Sequence, residues 1–163
     1  MQDCVTLNHL QGILSYSPES GNFVWLVQYG RANPGNIAGS VRKDGYVTIK
    51  IEGRQYKAHR LAWLYMTGEW PKGRLDHKDN CQSNNRWENL RLATHSQNMA
   101  NRKINKNNGS GYKGVSFKKG LYQAYVNKDG IRHWLGYFRT AEEAHAAYLI
   151  KAKELHGAFA RSS

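Results

Sequence analysis

The chain of 163 residues is 40% hydrophobic and 12% aromatic, which is enough for folded cores and excludes a wholly disordered protein. Its formal net charge of +12 is uneven: residues 1–100 carry 12 Lys and Arg against 8 Asp and Glu, whereas residues 101–163 carry 12 against 4. Such a field attracts polyanions, of which nucleic acid is the usual one, although a basic chain can also be merely soluble.

The N-terminal stretch, to about residue 58, is predicted to be rich in β-strands. Residues 23–26 form an apolar run after a turn cluster, and alternating runs at residues 46–51 and 54–58 flank Glu52-Gly53. An acidic residue followed by glycine between two alternating runs is typical of a two-residue β-hairpin. The pattern therefore predicts a hairpin centred on this turn.

A helix is predicted over residues 59–66, immediately before the most informative segment of the chain. Leu61 and Leu64 fall at helical spacing there, and Gly68 is predicted to end the helix. His59, at the start of this helix, is interpreted as structural or DNA-facing rather than catalytic.

The next segment combines an acidic side chain beside a histidine with a series of side-chain amides. Asp76 and His77 end a predicted strand, which is followed by a second short strand at residues 90–93 and a helix that Ser96 is predicted to cap. Carboxylate and amide oxygens are suitable ligands for Mg²⁺, Mn²⁺ or Ca²⁺, and a neutral imidazole can take a proton from water. The set suits metal-assisted hydrolysis of a phosphodiester, although each residue alone would be an ordinary turn residue.

This ordered set resembles the HNH endonuclease motif over Arg74 to Asn98, in the subgroup whose third element is Asn rather than His. The resemblance implies that His77 is the base that activates water, with Asp76 as the neighbouring metal ligand. It also implies that Asn89 braces the motif loop and helps to hold the catalytic histidine, and that Asn98 is a second metal ligand on the short helix. One divalent ion, Mg²⁺ or Mn²⁺, in a ββα-metal core is expected.

Residues 101–110 are polar, basic and rich in Gly, Asn and Ser, a composition that marks a linker. Their positive charges could simply keep the segment soluble, or they could follow a phosphate backbone. We favour the second interpretation, which makes Arg102, Lys103 and Lys106 candidate DNA contacts.

The C-terminal part predicts a three-stranded antiparallel sheet packed on one helix. Three short strands are joined by turns that contain glycine, and Thr140–Glu143 is a capping box for a helix that runs to about His156-Gly157. Alternation places Ala124 and Val126 under the helix. The opposite, uncovered face is predicted to carry basic, amide and aromatic side chains suited to a DNA groove: Lys113, Ser116, Lys118, Gln123, Tyr125, Asn127, Arg132 and Trp134.

The same residues are also compatible with another interpretation, in which the sheet is only partly exposed and packs on the preceding domain.

The pattern of residues 111–115 and 134–144, closing with His156-Gly157, looks like the plant ethylene-response-factor (APETALA2-type) DNA-binding domain. In that family the sheet enters the major groove. Ser116 and Asn127 stand where family members often carry Arg, so the target sequence cannot be transferred.

These expectations define an α+β chain. A β-rich N-terminal segment leads into an HNH nuclease domain over residues 1–100, with its motif at about 74–103. A basic linker at 101–110 and a DNA-binding domain at 111–160 follow. The two resemblances together imply a homing-type endonuclease of phages and mobile elements, acting on double-stranded DNA at recognised sites.

One active site cuts one strand, so a monomer should nick, and a double-strand break would need a dimer or two sequential events. The alternative from another class is a non-catalytic DNA-binding regulator that keeps the nuclease fold as a scaffold. Cleavage of RNA is a weaker third possibility, because a groove-reading sheet favours duplex DNA over A-form RNA.

The chain has two cysteines, Cys4 and Cys81, which are too few for a Cys₄ zinc site or a disulfide framework. We therefore expect no structural zinc. The N-terminus has no signal-peptide pattern and no stretch approaches about 20 apolar residues, so a cytoplasmic location, in a bacterium or a phage-infected host, is expected.

Overall fold

The computed structural model describes residues 5–105 and 107–162. By its internal contacts the chain divides into two compact units, the first reaching to Leu92 and the second beginning at Ala93. The described part mixes helices with small sheets, which confirms the predicted α+β class. The domain boundary predicted at residue 100 falls within a helix, His95–Asn101, that belongs by contacts to the second unit.

The first unit contains two helices and the strands of three small sheets. Its elements are α1 Leu7–Ile13, β1 Leu14–Tyr16, β2 Phe23–Trp25, β3 Ser40–Val41, β4 Val47–Ile51, β5 Arg54–Lys57, α2 Ala58–Thr67, β6 Arg74–His77, a short 3₁₀ helix Trp87–Asn89, and β7 Leu90–Ala93, which reaches the boundary. Strands β1 and β2 form one antiparallel pair, β3, β4 and β5 form a second sheet in that order, and β6 and β7 form a third.

The predicted β4–β5 hairpin is confirmed, with Ile51 opposite Arg54. Glu52 and Gly53 both have positive φ, 49° and 80°, as the tight two-residue hairpin turn requires. Helix α2 ends as predicted at Gly68, which is left-handed with φ 79° and donates its N–H to the Leu64 carbonyl. The positions of the turn and of the helix end could therefore be predicted from the residue types in this part of the sequence.

The prediction that the first 58 residues are β-rich is wrong at Leu7–Ile13, which form helix α1. Thr6 caps this helix, since its hydroxyl oxygen accepts a hydrogen bond from the His9 N–H at 3.3 Å. The helix has only two turns, which is too short to show a periodic apolar stripe. Leu10 holds it in place, because its side chain is fully buried in the core of the first unit.

The second unit contains helix α3 and a sheet covered by helix α4. Its elements are α3 His95–Asn101, β8 Val115–Lys118, β9 Leu121–Lys128, β10 Ile131–Phe138, α4 Ala141–His156, and a short 3₁₀ helix Gly157–Phe159. The strands are antiparallel in the order β10-β9-β8. The predicted capping box of α4 is confirmed at Thr140 and Glu143.

The sheet packs on α4 with the predicted face. Ala124 and Val126 of β9 are buried, and they contact Ala144 and Tyr148 of the helix. Strand β10 contains one extra residue, Leu135, at a bulge between the Trp134–Tyr125 and Gly136–Ala124 pairs. The sequence did not predict this bulge.

Helix α3 begins two residues earlier than the sequence predicts, with Thr94 rather than Ser96 as its cap. The Thr94 hydroxyl oxygen accepts from the Gln97 N–H at 3.2 Å, and the Gln97 side chain accepts from the Thr94 N–H at 2.8 Å. The Ser96 hydroxyl instead accepts from the Asp129 N–H at 3.0 Å. Ser96 therefore fastens the helix to the β9–β10 turn.

The end of the predicted linker is also fixed within the second unit. Ser110 Oγ donates to the Val115 carbonyl at 2.8 Å, and Asn108 Nδ2 donates to the Tyr112 carbonyl at 3.0 Å.

Within residues 5–105 and 107–162, no helix is long and apolar enough to cross a membrane.

Candidate active site and nucleic-acid interface

His77 ends strand β6 and is 4% exposed. Its Nε2 lies 3.3 Å from Asn85 Oδ1, and the His59 ring meets its ring edge to face, with centroids 5.0 Å apart. Burial lowers the pKa of His77, and the hydrogen bond to Asn85 and the nearby carboxylates only partly oppose this effect. A lowered pKa keeps the imidazole neutral at pH 7, which is the form that can accept a proton.

His59 packs against His77, a contact that the sequence did not predict. It opens helix α2 and is 6% exposed, and its buried Nδ1 has no hydrogen-bond partner among the described residues. Burial, followed by the neighbouring His77 and the cations Lys57 and Arg60, lowers its pKa to about 3. The Tyr46 ring contacts both imidazoles, at 5.3 Å from His59 and 5.9 Å from His77. The two histidines and the tyrosine therefore form one buried ring cluster.

Asp76, next to His77, is 4% exposed and paired with a cation of the neighbouring strand. Its Oδ2 accepts a hydrogen bond from Arg91 Nε at 2.9 Å, and the Arg91 side chain is only 15% exposed. Such a charge-assisted bond fixes the carboxylate strongly. A carboxylate offers about four lone-pair sites, so this pairing is compatible with oxygen ligation of a metal ion.

Asn89 closes the loop that follows His77. Its Nδ2 donates to Asp79 Oδ1 at 2.9 Å and to the Asn84 carbonyl at 2.8 Å, and its Oδ1 accepts from the Asp79 N–H at 3.1 Å. Its backbone carbonyl accepts from the Lys78 N–H at 2.9 Å. The side chain thus ties both ends of the loop to one point, which is the bracing geometry that the motif implies.

Asn98 lies in helix α3 of the second unit and is half-buried, with its N–H bonded to the Thr94 carbonyl. Its amide oxygen is the same kind of hard donor as the Asp76 carboxylate. Within the described ranges, 5–105 and 107–162, no three His, Cys, Asp or Glu side chains are grouped to hold a metal ion.

Most of the predicted DNA-binding residues lie on one face of the C-terminal sheet. Asn127 stands opposite Arg132 and Tyr125 opposite Trp134, on the side away from the buried Ala124. The Arg132 guanidinium lies over the Tyr125 ring at 4.3 Å, and Trp134 is 49% exposed. The remaining members on this side are Ser116, Lys118 and Gln123, with Gln123 Nε2 donating to Ser116 Oγ at 2.8 Å.

The bulge adds an aromatic residue that the sequence did not predict. Because Leu135 is extra, Tyr137 pairs with Gln123 and returns to the side of Trp134. Tyr137 is 59% exposed, and its ring meets the Trp134 ring at 5.0 Å. Trp134 and Tyr137 therefore form an exposed aromatic pair on this face of the sheet.

Lys113 differs from the other predicted contacts. It precedes β8, and its ammonium donates to the backbone carbonyl of Ala100 and, at 2.7 Å, to that of Arg102. Burial, with a smaller effect of Arg161, lowers its pKa to about 8. The Lys113 ammonium is therefore bonded to backbone carbonyls at the end of α3 and does not lie on the open sheet face. Arg102 and Lys103 are exposed, and Lys106 lies outside the described residues.

This chain is similar to the proteins of one family model and to two viral proteins. A family model described as HNH endonuclease matches residues 56–100. Protein 3.8 of Escherichia phage T7 is 38% identical over 114 residues, which is 65% of this chain and 92% of that protein. A mimivirus protein (Acanthamoeba polyphaga mimivirus) named Uncharacterized HNH endonuclease L560 is 36% identical over 121 residues. The chain belongs to the HNH endonuclease family.

The match to the mimivirus HNH protein spans 72% of this chain but only 62% of the relative's length. A solved structure titled "DNA binding and cleavage by the HNH homing endonuclease I-HmuI" matches with a TM-score of 0.46 and 20% identity, over 89% of this chain and 82% of the other. The segment that matches the HNH family model contains His59 together with Asp76, His77, Asn89 and Asn98.

Proposed function

We propose that this HNH family member is a site-recognising DNA endonuclease that hydrolyses phosphodiester bonds with one divalent metal ion and nicks one strand as a monomer. The observation that carries the proposal is the buried imidazole of His77, whose pKa is lowered by burial and which directly follows Asp76 in the sequence. Its proposed place of action is the cytosol of a bacterium or a phage-infected host.

His77 is the proposed general base. It takes a proton from the attacking water, the water oxygen bonds to phosphorus, and the 3′ oxygen leaves, so the product carries a 5′ phosphate. A lowered His77 pKa favours this role because the neutral form dominates at pH 7. Asn89 acts indirectly, by keeping the loop after His77 closed through its bonds to Asp79 and Asn84.

Asp76 and Asn98 are the proposed ligands of the ion. A carboxylate and an amide oxygen suit Mg²⁺ or Mn²⁺ better than softer metals, and neither is a zinc-specific donor. When bound, the ion would stabilise the negative charge that develops on the scissile phosphate. That both residues serve one ion rests on the HNH motif, which places its ligands at these two positions.

Asn98→Ala should raise the Mg²⁺ concentration needed for half-maximal nicking, by about 10–100-fold if it loses a ligand contact. Asn98→Asp keeps an oxygen donor and serves as the matched control. Asp76→Ala should have a similar effect, but it also strips Arg91 of its buried partner, so its melting temperature must be measured alongside. A titration curve for Asn98→Ala identical to wild type would remove this residue from the metal site.

The sheet face of the second unit is the proposed duplex-DNA surface, as its likeness to the APETALA2-type domain implies. Its charged members, Lys118 and Arg132, are both basic, and Trp134 on the same face is exposed. Arg102 and Lys103, with Lys106, are proposed phosphate contacts along the preceding segment. Phosphate contacts would supply affinity, and the face would supply discrimination between base sequences.

Arg132→Ala and Trp134→Ala should weaken specific binding more than they weaken folding. An arginine on a base edge contributes roughly 1–3 kcal/mol of discrimination, whereas a lost phosphate contact weakens all sequences alike. Lys153→Ala, which removes an equal charge from the exposed side of α4, is the matched control. Gel shifts on specific and random duplexes, run beside thermal melts, separate these effects. A large fall in melting temperature with intact binding by the folded fraction would assign Trp134 to the core.

Sequencing of cleavage ends on a phage genomic library tests site recognition directly. Recurrent single-strand ends at one sequence are expected. Ends distributed without sequence preference would reject site recognition, and paired ends on both strands would reject nicking by a monomer. A non-catalytic DNA-binding regulator would produce no new ends at all.

A further inference from the structure

The contact between His77 and Asn85 determines the position of the imidazole and also which of its nitrogens carries the proton. The Asn85 side chain is 3% exposed and is held at both of its polar atoms. Its Nδ2 donates to the Ser83 carbonyl at 3.2 Å, and its Oδ1 faces His77 Nε2 at 3.3 Å. A carbonyl oxygen can only accept, so the bond to Ser83 sets which end of the amide points at the histidine.

That orientation determines the tautomer of His77. An amide oxygen is also only an acceptor, so Nε2 must be the donor and must carry the proton. A neutral imidazole has one protonated and one unprotonated nitrogen. With the proton on Nε2, the lone pair that can accept a proton is therefore on Nδ1.

The N-terminal hairpin of β1 and β2 holds Asn85 in place from the other side. The buried Tyr16 hydroxyl donates to the Asn85 carbonyl at 2.7 Å. Gly21, with φ 76°, packs so closely on the Asn85–Arg86 peptide that a methyl group would overlap it. The Trp87 N–H donates to the Pro18 carbonyl at 2.9 Å. Three contacts from one hairpin thus fix the backbone from the Asn85 carbonyl to the Trp87 N–H.

We propose that Asn85 is a positioning residue that keeps the His77 proton on Nε2 and its lone pair on Nδ1, with the β1–β2 hairpin as its anchor. The catalytic consequence rests on the proposed nuclease function, because Nδ1 then becomes the atom that accepts the proton of water. The tautomer itself is a property of the unliganded protein and does not depend on that function.

Long-range ¹H–¹⁵N correlation spectra of the full chain with ¹⁵N-labelled histidine report the tautomer of each ring. At pH 7.5, we expect wild-type His77 to show a protonated Nε2 and an unprotonated Nδ1. Asn85→Ala should give averaged shifts of both nitrogens, whereas Asn85→Asp, which keeps an acceptor oxygen, should restore the Nε2–H form. Asn84→Ala is the matched control, because this neighbouring amide bonds to Asp79 and not to His77.

Averaged shifts, or a protonated Nδ1, in wild-type His77 would overturn the proposal, and so would an Asn85→Ala variant that keeps the wild-type tautomer. If Asn85→Ala does not fold, the wild-type spectrum and Asn85→Asp decide the question. Tyr16→Phe removes only the hydroxyl that is bonded to the Asn85 carbonyl. If the hairpin is the anchor, this substitution should move the two ¹⁵N shifts of His77 toward averaged values, both in the wild-type chain and in Asn85→Asp.

Cleavage assays provide the second readout. Asn85→Ala should lower kcat about 10-fold or more with little change in KM, as lost outer partners of a catalytic histidine usually do. Rescue by Asn85→Asp supports positioning, since a purely structural amide would not be replaced by a charged group at this buried site. A wild-type protein with the expected tautomer and no nuclease activity would reject the proposed function alone. Active protein with the opposite tautomer would reject only the role of Asn85.

Discussion

His77→Ala should lower the rate of DNA cleavage by about 10²–10⁴-fold, the usual cost of removing a general base, and leave duplex binding nearly unchanged. The imidazole is buried at the end of β6 and is not a member of the sheet face proposed to bind DNA. Its loss therefore removes the proton acceptor without removing a binding contact. Single-turnover nicking and gel-shift titrations of the same preparations measure the two effects separately.

The matched control for this variant is His9→Ala. His9 lies in helix α1 and pairs with Glu52, with no contact to the cluster of His59, His77 and Tyr46. It should cleave like wild type. A His77→Ala protein that melts like wild type and still nicks at the wild-type rate would show that another group is the base.

Gly114→Ala should be among the most destabilising single changes in the second unit. Gly114 has φ 73°, and a methyl group there would overlap the buried Tyr148 ring, whose Cγ would lie 2.8 Å away. A residue with a Cβ costs roughly 1–2 kcal/mol in this left-handed region. Overpacking against a buried ring adds about 1–3 kcal/mol.

Gly120→Ala separates these two effects. Gly120 has φ 82° and nothing within 4 Å of the added carbon, so this variant carries the backbone strain without the clash. Each kcal/mol lowers the melting temperature of a chain of this size by about 2–4 °C. We expect a clearly larger fall for Gly114→Ala, and equal melting temperatures would mean that Tyr148 does not pack on Gly114.

The parts of the fold that the sequence predicts well are those with local chemistry. Glu52-Gly53 and Gly68 need unusual φ values that few residues adopt, and Thr140 with Glu143 makes a reciprocal cap. Helix α1 was missed because it is shorter than the window in which periodicity can be read. The cap of α3 was misplaced by two residues because Ser96 and Thr94 are both capping residues, and only the contact with Asp129 distinguishes them.

In the candidate site, too, some residues could be predicted from the sequence and others could not. Asp76, His77, Asn89 and Asn98 stand in an ordered linear pattern, so the sequence alone can nominate them. His59 comes from a different helix and reaches His77 only through packing, so no spacing rule could find it. The bulge at Leu135 and the burial of the Lys113 ammonium are likewise tertiary effects. Asn85 lies in the same segment of the sequence, but its contact with His77 follows only from the fold.

We propose that this chain cleaves DNA with a divalent ion and with His77 as the base. The most direct measurement is incubation of supercoiled plasmid with the purified full chain in Mg²⁺ or Mn²⁺, beside EDTA and beside His77→Ala. We expect relaxed circles with wild type and metal only, carrying 5′ phosphate at the nick. Relaxation in EDTA, equal relaxation by His77→Ala, or binding of the plasmid without any relaxation in either metal would contradict this claim.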